Sequence, residues 1–333
     1  MENRIAKLIE LVQKLPESCL DETIDFVTGK IEESTDNKPL PPCPHCKTSD
    51  VRRNGHTNER QRFLCKDCGK TFGMTTNTAL SNSHVGEAVW KQVIRDTVSG
   101  VSINKTADSI CVSYDTAFRM RHKILLSLEA EEARVPTQLS GVCELDDTYV
   151  LESYKGRKLP KDFWRKPRKH GAVAQKPGVS REYIGICTGV QRDGGAFSKS
   201  VTRATPRKKD VLQVFGDRID PEALVLCDGA KSYEALGENC KCEVQNVCAD
   251  GNRGGKGFFN MNTANNFHGF IKARYNQYRG VATKYLNRYN ALFSRAFRNG
   301  GDLADEIYEI MISNETPRHH SVEDVKTLNL LMI

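Results

Sequence analysis

Val142-Cys143-Glu144-Leu145-Asp146-Asp147-Thr148-Tyr149-Val150 is the stretch on which the reading of this chain turns. Strand geometry puts alternate side chains on opposite faces, so Glu144 and Asp146 share one face while Leu145 and Asp147 share the other. Carboxylates are poor strand formers, so three of them among β-branched and apolar neighbours are kept for a role. A second run, Ala223-Leu224-Val225-Leu226-Cys227-Asp228-Gly229, reads as an apolar strand that ends in an acid at its C-terminal edge, where sites of α/β sheets commonly lie. Alone, such an acid is more often a turn or cap residue. Two of them in this order, in a basic chain, reverse that balance.

Working outward, β-rich segments are expected at 142–150, 182–190, 196–202, 223–227 and 243–248. An amphipathic stretch from Arg207 to Ile219 precedes the fourth. A glycine-rich loop, Asp250 to Gly257, follows the fifth, and a long helical pattern starts near Thr263. Three strands, a helix, a strand, a helix, a strand and a helix is the order of an RNase H-like domain, assigned to residues 140–312. Its strands would bring Asp146 and Asp228 together. A divalent cation removes the cost of that repulsion, and paired metals about 3.5–4 Å apart can serve phosphodiester chemistry.

Upstream, Cys43-Pro44-His45-Cys46 and Cys65-Lys66-Asp67-Cys68 are two C-x-x-C pairs with 18 residues between them. That spacing suits one tetrahedral zinc, because two intervening residues let both sulfurs of a turn face one metal. Four thiolates close the shell, so the zinc is expected to be structural and His45 and His56 to be surface residues. A zinc ribbon over residues 40–80 follows, with Arg52, Arg53, Arg60 and Arg62 making it positive. It is preceded by a helical prefix (1–36) and a proline-rich linker.

Residues 84–134 read as helical, with Trp90, Val93 and Ile94 on one face. Ser102 and Ser113 are N-cap candidates on either side of a short turn at Cys111-Val112, the pattern of a helix-turn-helix. Ala117, Met120, Ile124 and Leu125 are assigned inward. Thr116, Arg119, Arg121, His122 and Lys123 are left for the outside, where a second helix meets the major groove.

The chain of 333 residues has room for several domains, and 38% hydrophobic with 27% charged residues is ordinary for a soluble protein. No run reaches the roughly 18 apolar residues of a membrane helix, and no secretory signal is visible, so a cytoplasmic, nucleoid-associated prokaryotic setting is expected. Most of the twelve cysteines would there be reduced. The net charge of +7 is concentrated: Lys155 to Lys176 hold nine Lys or Arg against one acid, Asp162. Lys166, Arg168 and Lys169 in this cluster are candidate phosphate contacts, although solvated loops would look the same.

Cys43 to Leu80, the run Glu144 to Tyr149, the run Asp228 to Tyr233, and Asn262 to Arg274 together resemble the ISXO2-like transposases of the IS1595 group. The resemblance covers about residues 40–300. It implies a multidomain α/β protein with a zinc ribbon, a DNA-binding region and an RNase H-like, DDE-type catalytic domain, acting on the terminal inverted repeats of an insertion sequence. It carries the first two catalytic aspartates onto Asp146 and Asp228, as ligands for Mg²⁺ or Mn²⁺. Family members often have glutamate at the third position; Asn265 stands there in this sequence. In branches with a D-D-N-K pattern Asn265 would be normal and Lys272 would contact DNA; otherwise the chain is a decayed copy or a DNA-binding regulator. A zinc-ribbon protein acting on RNA is a further rival, against which the strand-edge aspartates argue. The implied partners are double-stranded DNA, at element ends and target, and further copies of the chain, with no membrane. Residues 313–333 are left as a tail.

Overall fold

The computed structural model describes residues 39–313, apart from residues 58–59, 157, 160, 167, 169–172, 230, 248–254 and 300–301. The helical prefix, the tail beyond Ser313, the start of the glycine-rich loop and Lys169 therefore lie outside the described residues. The chain divides into two compact units after Met74.

The first unit is a three-stranded antiparallel sheet in the order β1 (Val51–Thr57), β2 (Arg60–Cys65) and β3 (Thr71–Gly73). Its core is only Val51, Phe63 and Phe72 around Cys43 and Cys65, with the two rings 5.5 Å apart. So small a core does not hold a fold by burial alone, and units of this size usually need a metal or disulfides. Each cysteine pair is followed by a left-handed residue, Lys47 at φ 65° and Gly69 at φ 67°. That conformation lets the Lys47 and Gly69 amides donate back to the Cys43 and Cys65 carbonyls, at 2.8 and 3.1 Å.

The second unit is built on a five-stranded mixed sheet. Three strands, β4 (Val142–Leu151), β5 (Tyr183–Gln191) and β6 (Ala196–Arg203), form an antiparallel meander. Then β7 (Leu224–Cys227) and β8 (Glu243–Asn246) run parallel to β4, giving the order β6-β5-β4-β7-β8. Each of the five expected β segments is a strand.

Helices cover both faces. Toward the N-terminus lie α1 (Glu87–Val98), α2 (Ile103–Ser109) and α3 (Tyr114–Arg134). Next come α4 (Lys208–Phe215) and α5 (Lys231–Cys240), which pack with Leu145, Cys187 and Val225 on one sheet face. A two-residue hairpin, β9 (Gly255–Lys256) with β10 (Phe259–Asn260), leads into α6 (Asn262–Gln277), followed by α7 (Leu286–Arg298) and α8 (Ala304–Ile312). These last helices share the other face with α1 and α3.

Residues 84–134, expected as a region apart from the sheet, share one core with it. Trp90, Val93, Ile94, Ile124, Leu125 and Leu128 are buried together with Ile184 and Ile186 of β5 and Leu292 and Phe293 of α7. The two N-caps stand as expected: the Ser102 hydroxyl accepts from the Lys105 amide and the Ser113 hydroxyl from the Thr116 amide, at 3.3 and 3.2 Å. The outward assignment for α3 needs correction. Arg121 and Lys123 are 3% and 7% exposed, and His122 is buried beside them. The helix runs through the middle of the unit, buried on every side from Met120 to Leu128, so no basic face survives there. Arg121 donates to the Val101 carbonyl at 2.6 Å, Lys123 to the Ala79 carbonyl at 2.9 Å, and His122 meets Arg288 of α7.

Candidate functional site

The strand register assembles the site. Leu145 of β4 pairs with Cys227 of β7 in a parallel ladder. One residue further along each strand are Asp146, in the middle of β4, and Asp228, just past the C-terminal end of β7. Gly229 then turns the chain with φ +87°, and a Cβ there would lie 2.4 Å from the Asn246 side chain. Only glycine meets both demands.

The alternation expected along β4 is observed. Leu145 and Asp147 face α4 and α5, where the Tyr233 hydroxyl donates to Asp147 Oδ1 at 2.5 Å. This bond ties the second acidic motif to the first and explains the tyrosine five residues after Asp228. Burial pushes Asp147 up to about 6, with the Asp228 charge adding to it and the Tyr233 hydrogen bond opposing.

Glu144 and Asp146 face α6. The Glu144 carboxylate is fully buried and accepts from Arg192 Nε at 2.7 Å and from the Ala264 amide at 2.8 Å. Arg192 also donates to the Asn260 carbonyl at 2.9 Å. An anion on the first turn of a helix is electrostatically favourable, so this pair fixes the start of α6 against β4. Asp146 lies two residues on. Burial raises its pKa to about 7; the Asp147 amide, which donates to Asp146 Oδ1 at 2.7 Å, opposes this, the charges of Asp228 and Asp147 add to it, and Lys272 opposes more weakly. The Asp228 charge, felt at Asp146 from the neighbouring strand, leaves negative charge for a cation to meet.

On α6, Asn265, His268 and Lys272 fall at i, i+3 and i+7, one stripe of the helix. Phe267 and Ile271 point into the core. His268 reaches the aspartate: its Nδ1 is 3.7 Å from Asp146 Oδ2, and its Nε2 is 2.7 Å from the Thr188 hydroxyl. Thr188 donates in turn to the Asp146 carbonyl at 2.7 Å. Burial first, and Lys272 second, lower His268 to about 4, so its ring is neutral near pH 7. Asn265 and Lys272 are exposed one turn to either side. Sequence reasoning passed over His268 and Thr188. A histidine between Phe267 and Gly269 was visible, but its partner lies 80 residues away.

The basic loop between β4 and β5 is less free than its composition suggests. Arg168 donates to Glu182 Oε2 at 2.5 Å and to the Glu152 carbonyl at 2.8 Å. Arg203 bonds Glu152 at 2.8 Å. Glu152 and Glu182, both buried, lie just outside the window in which one acid was counted, and their charge requires these guanidinium partners. Arg168 is thus committed inside the loop, a correction to its expected place among the phosphate contacts, whereas Lys166 is exposed. Arg119 is half-buried on the first half of α3, which also carries exposed Tyr114.

In the first unit, the sulfurs of Cys43, Cys46, Cys65 and Cys68 lie within 4.8 Å of one another. Cys43 Sγ is 3.7 Å from Cys68 Sγ, and Cys46 Sγ is 3.5 Å from Cys65 Sγ. Sulfurs about 2.3 Å from a tetrahedral zinc are about 3.8 Å apart, so this donor set could hold one.

Comparison with known families bears on this sheet and its acids. The family model for the ISXO2-like transposase domain matches residues 138–298, from just before β4 to the end of α7. The chain carries, over that span, a domain similar to the ISXO2-like transposase domain. Asp146, Asp228, Asn265 and Lys272 all fall inside the matched span. This transposase is 26% identical over 264 residues, 78% of the chain and 87% of the relative, to an uncharacterised protein in transposable element ISH50 of Halobacterium salinarum. It is also similar to two solved structures at 11% identity and a TM-score of 0.27. One is a pre-cleavage Mos1 transpososome, covering 71% of this chain and 80% of that one. The other is a Mos1 mariner paired end complex with Mn, covering 94% and 92%. At such TM-scores neither superposition adds to the assignment. Among the described residues no helix is long and apolar enough to cross a membrane.

Proposed function

We propose that this transposase is a divalent-metal-dependent polynucleotidyl transferase that binds the terminal inverted repeats of its insertion sequence, cuts at the ends and joins them to target DNA. The observation that carries this reading is the pair Asp146, in the middle of β4, and Asp228, just past the end of neighbouring β7, with Asp146 pushed up to about 7 by burial and like charge. The sheet order, a three-strand meander followed by two parallel strands, supports an RNase H-like reading of residues 140–312. Asp146 and Asp228 hold the cation through hard carboxylate oxygens. Mg²⁺ or Mn²⁺, when bound, supplies the positive charge that makes a water, and later a 3′-hydroxyl, a competent nucleophile. Asn265 offers a neutral carbonyl on the same side, and Lys272 and Lys166 bind phosphates.

The four cysteines hold a structural zinc that completes the ribbon. The first turns of α3, with Thr116 and Arg119, enter the major groove in the manner of a helix-turn-helix. The partners are duplex DNA at element ends and target, engaged by more than one copy of the chain.

The test is a cleavage and strand-transfer assay on the element's own ends with Mg²⁺ or Mn²⁺. Asp146→Ala and Asp228→Ala should each abolish cleavage while terminal-repeat binding persists. Cleavage retained by either variant sinks the assignment. A wild-type protein that binds the ends but cuts only after Asn265→Glu is a decayed transposase working as a DNA-binding protein.

A further inference from the structure

His268 lies beside Asp146, and its hydrogen bonds fix the tautomer of its neutral ring. A backbone carbonyl can only accept, so the Thr188 proton is committed to the Asp146 carbonyl, 2.7 Å away. The Thr188 oxygen is then an acceptor toward His268, and Nε2, at 2.7 Å, must carry the ring proton. Nδ1 of the neutral ring is left with its lone pair, 3.7 Å from Asp146 Oδ2. That distance is too long for a hydrogen bond, and two acceptors facing each other repel. Two donors each about 2.1 Å from one metal lie at most about 4.2 Å apart, so the gap suits a shared cation.

The geometry points to His268 as a metal ligand through Nδ1, giving this transposase a mixed carboxylate–imidazole cation site with Asp146. The inference rests on the proposed metal-dependent reading of Asp146. Thr188 is the positioning residue: its hydroxyl holds the ring in the tautomer and orientation that present Nδ1, as outer-shell partners of metal-bound histidines do. The arrangement also bears on Asn265. An imidazole on the next turn of α6 supplies a further donor where that position has lost a negative charge. Because imidazole suits later divalent metals better than Mg²⁺, the site should favour Mn²⁺ and Co²⁺ over Mg²⁺ beyond what carboxylates alone give.

The experiment is electron spin echo envelope modulation of Mn²⁺ bound to the zinc-supplied full chain. Directly ligated ¹⁴N coupling is expected in wild type, changed to the ¹⁵N pattern on ¹⁵N-histidine labelling and lost in His268→Gln. That variant should keep its melting temperature, bind Mn²⁺ at least about tenfold more weakly and show a narrower Mn²⁺/Mg²⁺ affinity ratio. Thr188→Val should retain the nitrogen coupling and weaken Mn²⁺ by about tenfold. Mn²⁺ held in an Asp146-dependent way without nitrogen coupling in wild type overturns the inference and leaves the metal-dependent reading intact. Nitrogen coupling that survives in folded His268→Gln overturns it as well. Mn²⁺ binding unaffected by Asp146→Asn overturns both readings together.

Discussion

Strand β4 and helix α3 both carry charged side chains into the interior, and they handle them in opposite ways. On α3 the buried cations are spent locally: Arg121 on the Val101 carbonyl, Lys123 on the Ala79 carbonyl. On β4 one acid is neutralised and the next is not. Glu144 has Arg192 and the Ala264 amide, whereas Asp146 has one backbone amide, that of Asp147, no cationic hydrogen-bond partner, and faces Asp228 and an imidazole lone pair. Buried charge by itself therefore says little. The informative sign is buried charge whose neighbours repel it, because the fold must gain something else for tolerating it.

The largest effect on stability that tests this contrast should come from Glu144→Ala. It leaves Arg192 and the Ala264 amide without their acceptor, and chemical denaturation should show a loss of about 3 kcal/mol, the low end for breaking a buried pair because Arg192 keeps some access to water. Asp146→Asn should do the reverse in metal-free protein. The folded pKa of Asp146 is raised from 3.8 to about 7, so its neutral form favours folding below about pH 4 and that contribution is lost as pH rises to about 7. Melting temperatures of wild type should accordingly fall relative to Asp146→Asn across that window, and divalent metal should restore them; a constant difference would place Asp146 with the satisfied charges.

Smaller effects follow on α3. Arg121→Met or Lys123→Met should each cost about 1–3 kcal/mol in denaturant midpoint analysis, through the carbonyls left unpaired, with the salt dependence of DNA binding unchanged. Arg119→Ala should be the mildest for folding, within about 0.5 kcal/mol. It should lower the salt-dependence slope of DNA binding by about one. A changed slope in the Arg121 or Lys123 variants would erase the distinction between buried and presented cations.

How much was legible follows the range of the interactions. The five strands, the amphipathic segment that became α4 and the N-caps at Ser102 and Ser113 depend on neighbours within a few residues, and these were read correctly. The same holds for the opposed faces of β4. The misreadings on α3 arose because sorting residues into one inward and one outward face presumes a helix at the surface. Met120 to Leu128 are packed from several sides, so polar residues on the supposed outer face had to find partners inside. Arg168 was misjudged in a similar way, since its acids, Glu152 and Glu182, flank the loop rather than lie in it.

By itself, the sequence determined the acidic strand Val142 to Val150 and its partner ending at Asp228, because period-two alternation and an apolar run are local properties of the chain. It also determined the four-sulfur site, whose spacing alone lets two turns converge on one ion. Only the tertiary structure decided which charges are answered. The contacts Glu144–Ala264, Asp147–Tyr233 and Thr188–His268 span 80 to 120 residues of chain. They exist because packing α5 and α6 against β4 and β5 brings those side chains together, and no local pattern encodes such a meeting.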